Sequence, residues 1–174
     1  MKRKMPEWLI GGLFGLLATL LVFLLQMWWD NSKLEREHSE KDETIYLALK
    51  EEFSDNIKIL TNNQRFIEKD LELLEVEKQI IAPLDMLRDN SWELVRLNLP
   101  GNLKKKPTAL ADLRELYLVV RHMNETIRSR ENHRVNNKAL SGYAQTLKNY
   151  DKKLFEETKR LIPAFEEITN DLAK

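Results

Sequence analysis

The chain has no cysteine, only five glycines and five prolines in 174 residues, and no excess of either charge, with 28 Lys+Arg against 28 Asp+Glu. Without cysteine there is no disulfide framework, no thiolate nucleophile and no Cys-ligated zinc or iron–sulfur centre. Three of the glycines (Gly11, Gly12, Gly15) fall inside one apolar run, so the remaining chain holds little turn material for a sheet protein. The balance of charge argues against a dedicated nucleic-acid binder, since the residues after Trp29 hold 25 basic and 27 acidic side chains. Catalytic signatures are missing too: Ser91, Ser129 and Ser141 lack a G-x-S-x-G setting, and there is no Walker loop, G-x-G-x-x-G or H-E-x-x-H. The sequence therefore predicts a protein that is not an enzyme and binds no cofactor.

What is present is concentrated at one end. Trp8 to Leu25 is a run of 18 residues broken only by Thr19, and three of the four tryptophans lie between positions 8 and 29. As a helix the run is about 27 Å long, and about 33 Å to Trp29, close to the thickness of a hydrocarbon core. Trp8 at one end and Trp28 and Trp29 at the other mark the interfaces where amphipathic rings are favoured. A cleaved signal peptide has a shorter apolar stretch and a small-residue cleavage site, which Gln26-Met27-Trp28-Trp29-Asp30 does not offer. The reading is an uncleaved, single-pass anchor in the cell membrane. Lys2, Arg3 and Lys4 put its N-terminus in the cytoplasm and the large domain outside, in the periplasm of a Gram-negative cell. Residues 30–44 carry three basic residues as well (Lys33, Arg36, Lys41), so the orientation rests on their density beside the membrane.

Gly11, Gly15 and Thr19 share one helical stripe, a small-residue spacing that lets two helices pack closely. Glycine is also simply common in membrane helices, and both readings stand.

Beyond the anchor the pattern is helical throughout. A charged juxtamembrane helix or linker (30–44) leads to the stripe Tyr46, Leu49, Phe53, Ile57, Leu60, Ile67, Leu71, Leu74 and Ile81. Asn56 and the polar run 61–64 interrupt it, which predicts a kink or break there, and Ala82-Pro83 ends it. Asp89-Asn90-Ser91 offers caps for a short helix, and Leu99-Pro100-Gly101-Asn102 is a turn. Thr108 caps the next helix, striped by Leu110, Leu113, Tyr117, Val120, Asn124 and Ile127 and fraying through Arg128–Lys138. A last helix carries Leu140, Tyr143, Leu147, Tyr150, Leu154, Leu161, Phe165, Ile168 and Leu172, with Pro163 expected to kink or divide it. The fold class is all-α: one N-terminal transmembrane helix (8–29) after a basic tail (1–7), followed at 45–174 by an antiparallel bundle of three long helices plus one short helix.

Few residues invite chemistry. Glu35-Arg36-Glu37-His38 has E-x-x-H spacing but occurs once, and His122 and His133 are three helical turns apart, so no metal site is predicted. Arg121, Arg128, Arg130, Arg134 and Lys138 form a basic stretch that suits an anionic surface, such as lipid headgroups or an acidic partner, and equally complements a helix C-terminus. Trp92 reads as a packing anchor or a partner contact.

Two stretches carry a resemblance. The first is Leu49-Lys50-Glu51-Glu52-Phe53-Ser54-Asp55-Asn56. The second is Asp89-Asn90-Ser91-Trp92-Glu93 ahead of Leu113-Arg114-Glu115-Leu116-Tyr117 and Met123-Asn124. Together they resemble a loose group of uncharacterised prokaryotic single-pass membrane proteins with an E-L-x-x-N helix, an aspartate-x-x-tryptophan turn and a later L-x-x-x-Y helix. The likeness spans roughly residues 45–130, with Phe53 where the group has leucine. It implies a helical domain behind an anchor and brings no activity.

The functional expectation is a non-enzymatic, membrane-anchored helical interaction module, an accessory subunit, scaffold or sensor-like domain. Its partners are the lipid bilayer and another protein or a second copy, with no nucleic acid. A homodimeric stalk built on the anchor and first long helix, and a small-ligand sensor binding between helices, are the alternatives.

Overall fold

A computed structural model describes residues 7–75, 82–101, 103, 106–138 and 141–172, without the side chains of 7–14, 75 and 172. Among these residues every regular element is an α-helix: α1 (Glu7–Glu75), α2 (Asn90–Leu97), α3 (Pro107–Asn136) and α4 (Tyr143–Leu172). The chain is all-α and divides into two compact units, Met1–Glu43 and Thr44–Lys174. Lys2, Arg3, Lys4, Ile81, Asn102 and Leu140, singled out in the sequence, lie outside the described residues.

The first unit is helical from Glu7, so the charged stretch 30–43 continues the helix without a linker. Its apolar side chains face outward: Leu16 is 74% exposed, Trp28 67% and Trp29 68%. Among the described residues no helix is long and apolar enough to cross a membrane. From Gly15, where the described side chains begin, eleven residues precede Gln26, about 16 Å of helix against a hydrocarbon core of about 30 Å. The remainder of the expected span, including Trp8 and Gly11, belongs to residues whose side chains are not described.

In the second unit α1 buries two adjacent heptad positions. One is apolar, with Phe53, Leu60, Ile67 and Leu74, and the other becomes polar after Leu49, with Asn56, Asn63 and Asp70. The expected break at 61–64 does not occur, because the interruption in the apolar stripe is Asn63, which is wholly buried and hydrogen-bonded. Phe53 packs on Tyr117 of α3 at 6.1 Å and on Phe165 of α4 at 5.1 Å, and so joins all three long helices. Leu113, Val120, Met123, Ile127, Leu154 and Leu161 extend the core, and Leu84, Leu87 and Val95 join it from the connection between α1 and α3. Leu74, Tyr143 and Leu147 form a smaller cluster at the other end.

The helix directions differ from a simple antiparallel bundle. Glu52 of α1 meets Tyr117 of α3 and Asp70 meets Arg130, so these two helices run parallel. Only α4 is antiparallel, with Phe165 beside Phe53 and Asp151 beside Arg130. The cause is the connection between α1 and α3, which travels the length of the bundle as an extended segment (82–89) followed by α2. It occupies the descending position that a helix holds in an up-down bundle.

Helix ends also depart from the sequence reading. Asp89 precedes α2 but makes no side-chain capping bond. α3 starts at Pro107 rather than after Thr108, in keeping with proline's fitness for the first helical position, and extends without fraying to Asn136. α4 runs through Pro163 undivided. Pro163 is exposed while Leu161 and Phe165 are buried on either side, so core packing holds both halves in line at the cost of one backbone hydrogen bond. Pro163→Ala is expected to stabilise the fold by about 1–3 kcal/mol, read as a rise in urea midpoint at unchanged slope; a fall would show that the proline relieves strain.

Candidate functional site

The polar interior is organised around the extended segment. Asn56 donates through Nδ2 to the Arg88 carbonyl (2.8 Å) and accepts from the Arg88 N–H (2.7 Å). Asn63 does the same for Asp85 (2.7 and 3.0 Å), as does Asn124 of α3 for Leu87 (2.8 Å for both bonds). Asp70 accepts from the Ala82 N–H, Glu131 from Leu84 (3.3 Å) and Glu52 from Ser91 (2.9 Å). Residues 82, 85 and 88 are thus read by α1, residues 84 and 87 by α3, while Pro83 and Met86 face out.

The match is metric. From Asn56 on, partners on α1 recur every seven residues, as do Asn124 and Glu131 on α3, and partners on the segment every three, the repeat of a polyproline-II chain, which has no hydrogen bonds of its own. From Asn56 to Asp70 is about 21 Å of helix, and from Ala82 to Arg88 about 19 Å at the polyproline-II rise. A chain that would otherwise bury unpaired amides is satisfied by side chains instead of by a strand.

One end of this clasp is an ion cluster. Arg130, fully buried, donates through Nε to Asp151 (2.6 Å), through a terminal nitrogen to Asp70 (2.6 Å), and through the other to Glu131 (2.5 Å) and the Ala82 carbonyl (2.8 Å). Arg134 adds a second contact to Glu131 at 2.7 Å. Three carboxylates therefore share two guanidiniums. Burial pushes Asp151 up to about 6 against the pull of Arg130, and its Oδ2 has no hydrogen-bond partner among the described residues. Burial raises Asp70 as well, opposed by the Ala82 N–H and Arg130. For Arg130 burial acts downward, but the bonds to Asp151 and Glu131 outweigh it and the guanidinium stays charged.

A folded-state pKa above the unfolded value means that the native protein holds its proton more tightly. This stabilisation is complete below about pH 4, where both states are protonated, and is lost as pH rises through about 6. Stability measured by urea unfolding is therefore expected to fall between pH 4 and 7, and Asp151→Asn to flatten that slope. A slope of opposite sign would contradict the burial of Asp151.

The other end is built on Glu52, whose two oxygens take the Tyr117 hydroxyl (2.5 Å) and the Ser91 N–H. Burial, then Glu52, pushes the Tyr117 hydroxyl well above its ordinary pKa, so it remains a donor. The motif residues Glu52, Asn56, Trp92, Leu113, Tyr117 and Asn124 all belong to this clasp or to the core beside it.

The residues singled out in the sequence are scattered. Arg130 cannot meet an outside anion, because it has no exposed surface and its donors are taken within the cluster. Arg134 is tied to Glu131, and Arg121 reaches Asp89 and Glu93 at 3.4 Å. Arg128 and Lys138 are exposed. Trp92 stacks on Tyr117 at 5.4 Å and is partly buried. The structure does bring Trp92 and Arg121 together, in a surface pocket of about 430 Å³ shared with Arg96 and Arg114. In the first unit Thr19 donates to the Gly15 carbonyl (2.9 Å), and the space over Gly15 is open. Among the described residues no three His, Asp or Glu side chains are grouped to hold a metal ion. His122 lies near Lys153 and Glu157, and His133 stacks on Tyr143.

Comparison of the chain with protein-family models, with curated proteins and with solved structures yields no match.

Proposed function

We propose that this protein is a non-enzymatic, membrane-anchored helical interaction module, with residues 8–29 as a single-pass anchor and the domain from Thr44 presented to other membrane components. The observation that carries the reading is the outward apolar surface of the first unit. From Leu16 to Leu25 the Leu, Val and Phe side chains are all at least half exposed, and two exposed tryptophans follow. A contiguous surface of this kind marks a membrane or protein interaction site. The apolar run of the sequence extends it back to Trp8 and brings it to spanning length. Anchoring raises the domain's effective concentration for partners in the same membrane.

The absence of cysteine makes the test direct. A single introduced thiol, Lys138→Cys, is the only one in the chain. The expected result is a protein that resists alkaline carbonate extraction, with this thiol labelled by an impermeant maleimide in spheroplasts, where only the cytoplasmic membrane is intact. Release by carbonate would remove the anchor; labelling only after lysis would reverse the orientation. A homodimeric stalk is the second reading, favoured by the open surface over Gly15, and a monomeric mass in mild detergent would dismiss it.

A further inference from the structure

The seams of the bundle are not equally filled. The extended segment and α2 occupy the seam between α1 and α3, whereas the seam between α3 and α4 opens into a groove of about 530 Å³. Its floor is apolar, made by Leu116 and Val119 of α3 and by Leu161, Ala164 and Ile168 of α4. Its rim is acidic: Asp112 and Glu115 on one side and Glu157, Glu167 and Asp171 on the other, with Arg160 among them and Lys153 paired to Glu157 at 3.8 Å. In a chain with equal numbers of acids and bases, a rim on which carboxylates outnumber cations is a local concentration of one sign. Asp112, Glu115 and Glu167 have no cation partner among the described residues.

We infer that this groove docks a helix of a partner protein that carries an apolar stripe flanked by Lys or Arg. The inference deepens the interaction-module reading and rests on it. The groove's α4 wall, from Glu157 to Asp171, is about 21 Å long, or about four helical turns, and an amphipathic helix laid along two others would complete the bundle. The carboxylate rim sets the partner's sign: it attracts flanking cations, speeds their encounter and repels anionic lipid headgroups.

The probe is an 18-residue synthetic helix with leucines at i, i+3, i+4 and i+7 and lysines on both flanks, compared with the same peptide bearing glutamates. Each is labelled with fluorescein and titrated by anisotropy with the detergent-purified full chain. The lysine peptide is expected to bind at least tenfold more tightly than the glutamate peptide. Ala164→Trp, which fills the groove without altering charge, and the pair Glu115→Lys/Glu167→Lys are each expected to weaken it at least tenfold. The charge-matched pair Glu51→Lys/Glu68→Lys on α1 is expected to leave it unchanged. Equal binding of the two peptides, or an equal loss with the α1 pair, would overturn the proposal. If circular dichroism shows Ala164→Trp to be unfolded, the rim pair decides. A dimeric mass abolished by the rim pair would assign the groove to a second copy and likewise overturn it. Failure of peptide binding in a carbonate-resistant protein rejects the groove alone, whereas binding by a carbonate-released protein rejects the anchor alone.

Discussion

Replacing Arg130 with methionine is expected to cost about 3–5 kcal/mol, much of the total stability of a typical domain. The size follows from what is left behind. Asp70 and Asp151 are 2% and 0% exposed, and without the guanidinium both face a low-dielectric interior with no cation. The cost is therefore that of stranded charge more than of lost attraction. It should largely vanish in the triple variant Asp70→Asn/Arg130→Met/Asp151→Leu, where asparagine still accepts the Ala82 N–H and the charge left, on Glu131, keeps Arg134 as its partner. Arg130→Lys should fall near the single variant, because one ammonium cannot span the Nε and two terminal-nitrogen contacts. Urea unfolding followed at 222 nm separates these outcomes. A single variant costing under about 1 kcal/mol would mean that the cluster behaves as a surface ion pair.

The clasp makes the second large prediction. The amides of Ala82, Leu84, Asp85, Leu87, Arg88 and Ser91 all donate to side chains, and five of the six precede α2 in no regular element. Native-state hydrogen exchange is expected to find them as slow as core helix amides, although a segment of this kind ordinarily exchanges quickly. Asn63→Ala removes both partners of Asp85 at once and should cost about 2–4 kcal/mol, with the Asp85 amide losing its protection. Asn63→Asp keeps an acceptor for that amide and loses the donor to the carbonyl. Protection should then survive while stability falls. Fast exchange at all six positions in the unmodified chain would refute the clasp.

How much of this was legible depends on what each residue hides behind. The four helices and most of their buried stripes follow from apolar spacing, and Leu113, Val120, Ile127, Leu154 and Phe165 are where periodicity puts them. The clasp was not legible by that rule, because Asn56, Asn63 and Asp70 register as gaps in an apolar stripe. Their common seven-residue spacing, repeated by Asn124 and Glu131, was the available signal. It marks one face of a helix whether its residues are polar or apolar. Arg130 was hidden by Arg128 and Arg134, which make the stretch read as a surface. Counted instead from Val120, Met123 and Ile127, position 130 continues the buried stripe. The parallel course of α1 and α3 could not be inferred, since a connection without apolar periodicity gives no direction. The pocket joining Trp92 to Arg121 depends on the same docking of α2 against α3.

A segment outside regular structure is usually where a chain tolerates insertion. Here the reverse holds. Because residues 82–88 are registered against two helices at once, one added residue would put every later carbonyl and amide opposite the wrong side chain, and no local bulge relieves two ladders together. Residues 82–88 should therefore reject single-residue insertions and deletions as firmly as a buried strand does. The turn at Gly142, exposed and with open space around it, should accept them. Length variation, rather than substitution, is the change to which this protein is most sensitive.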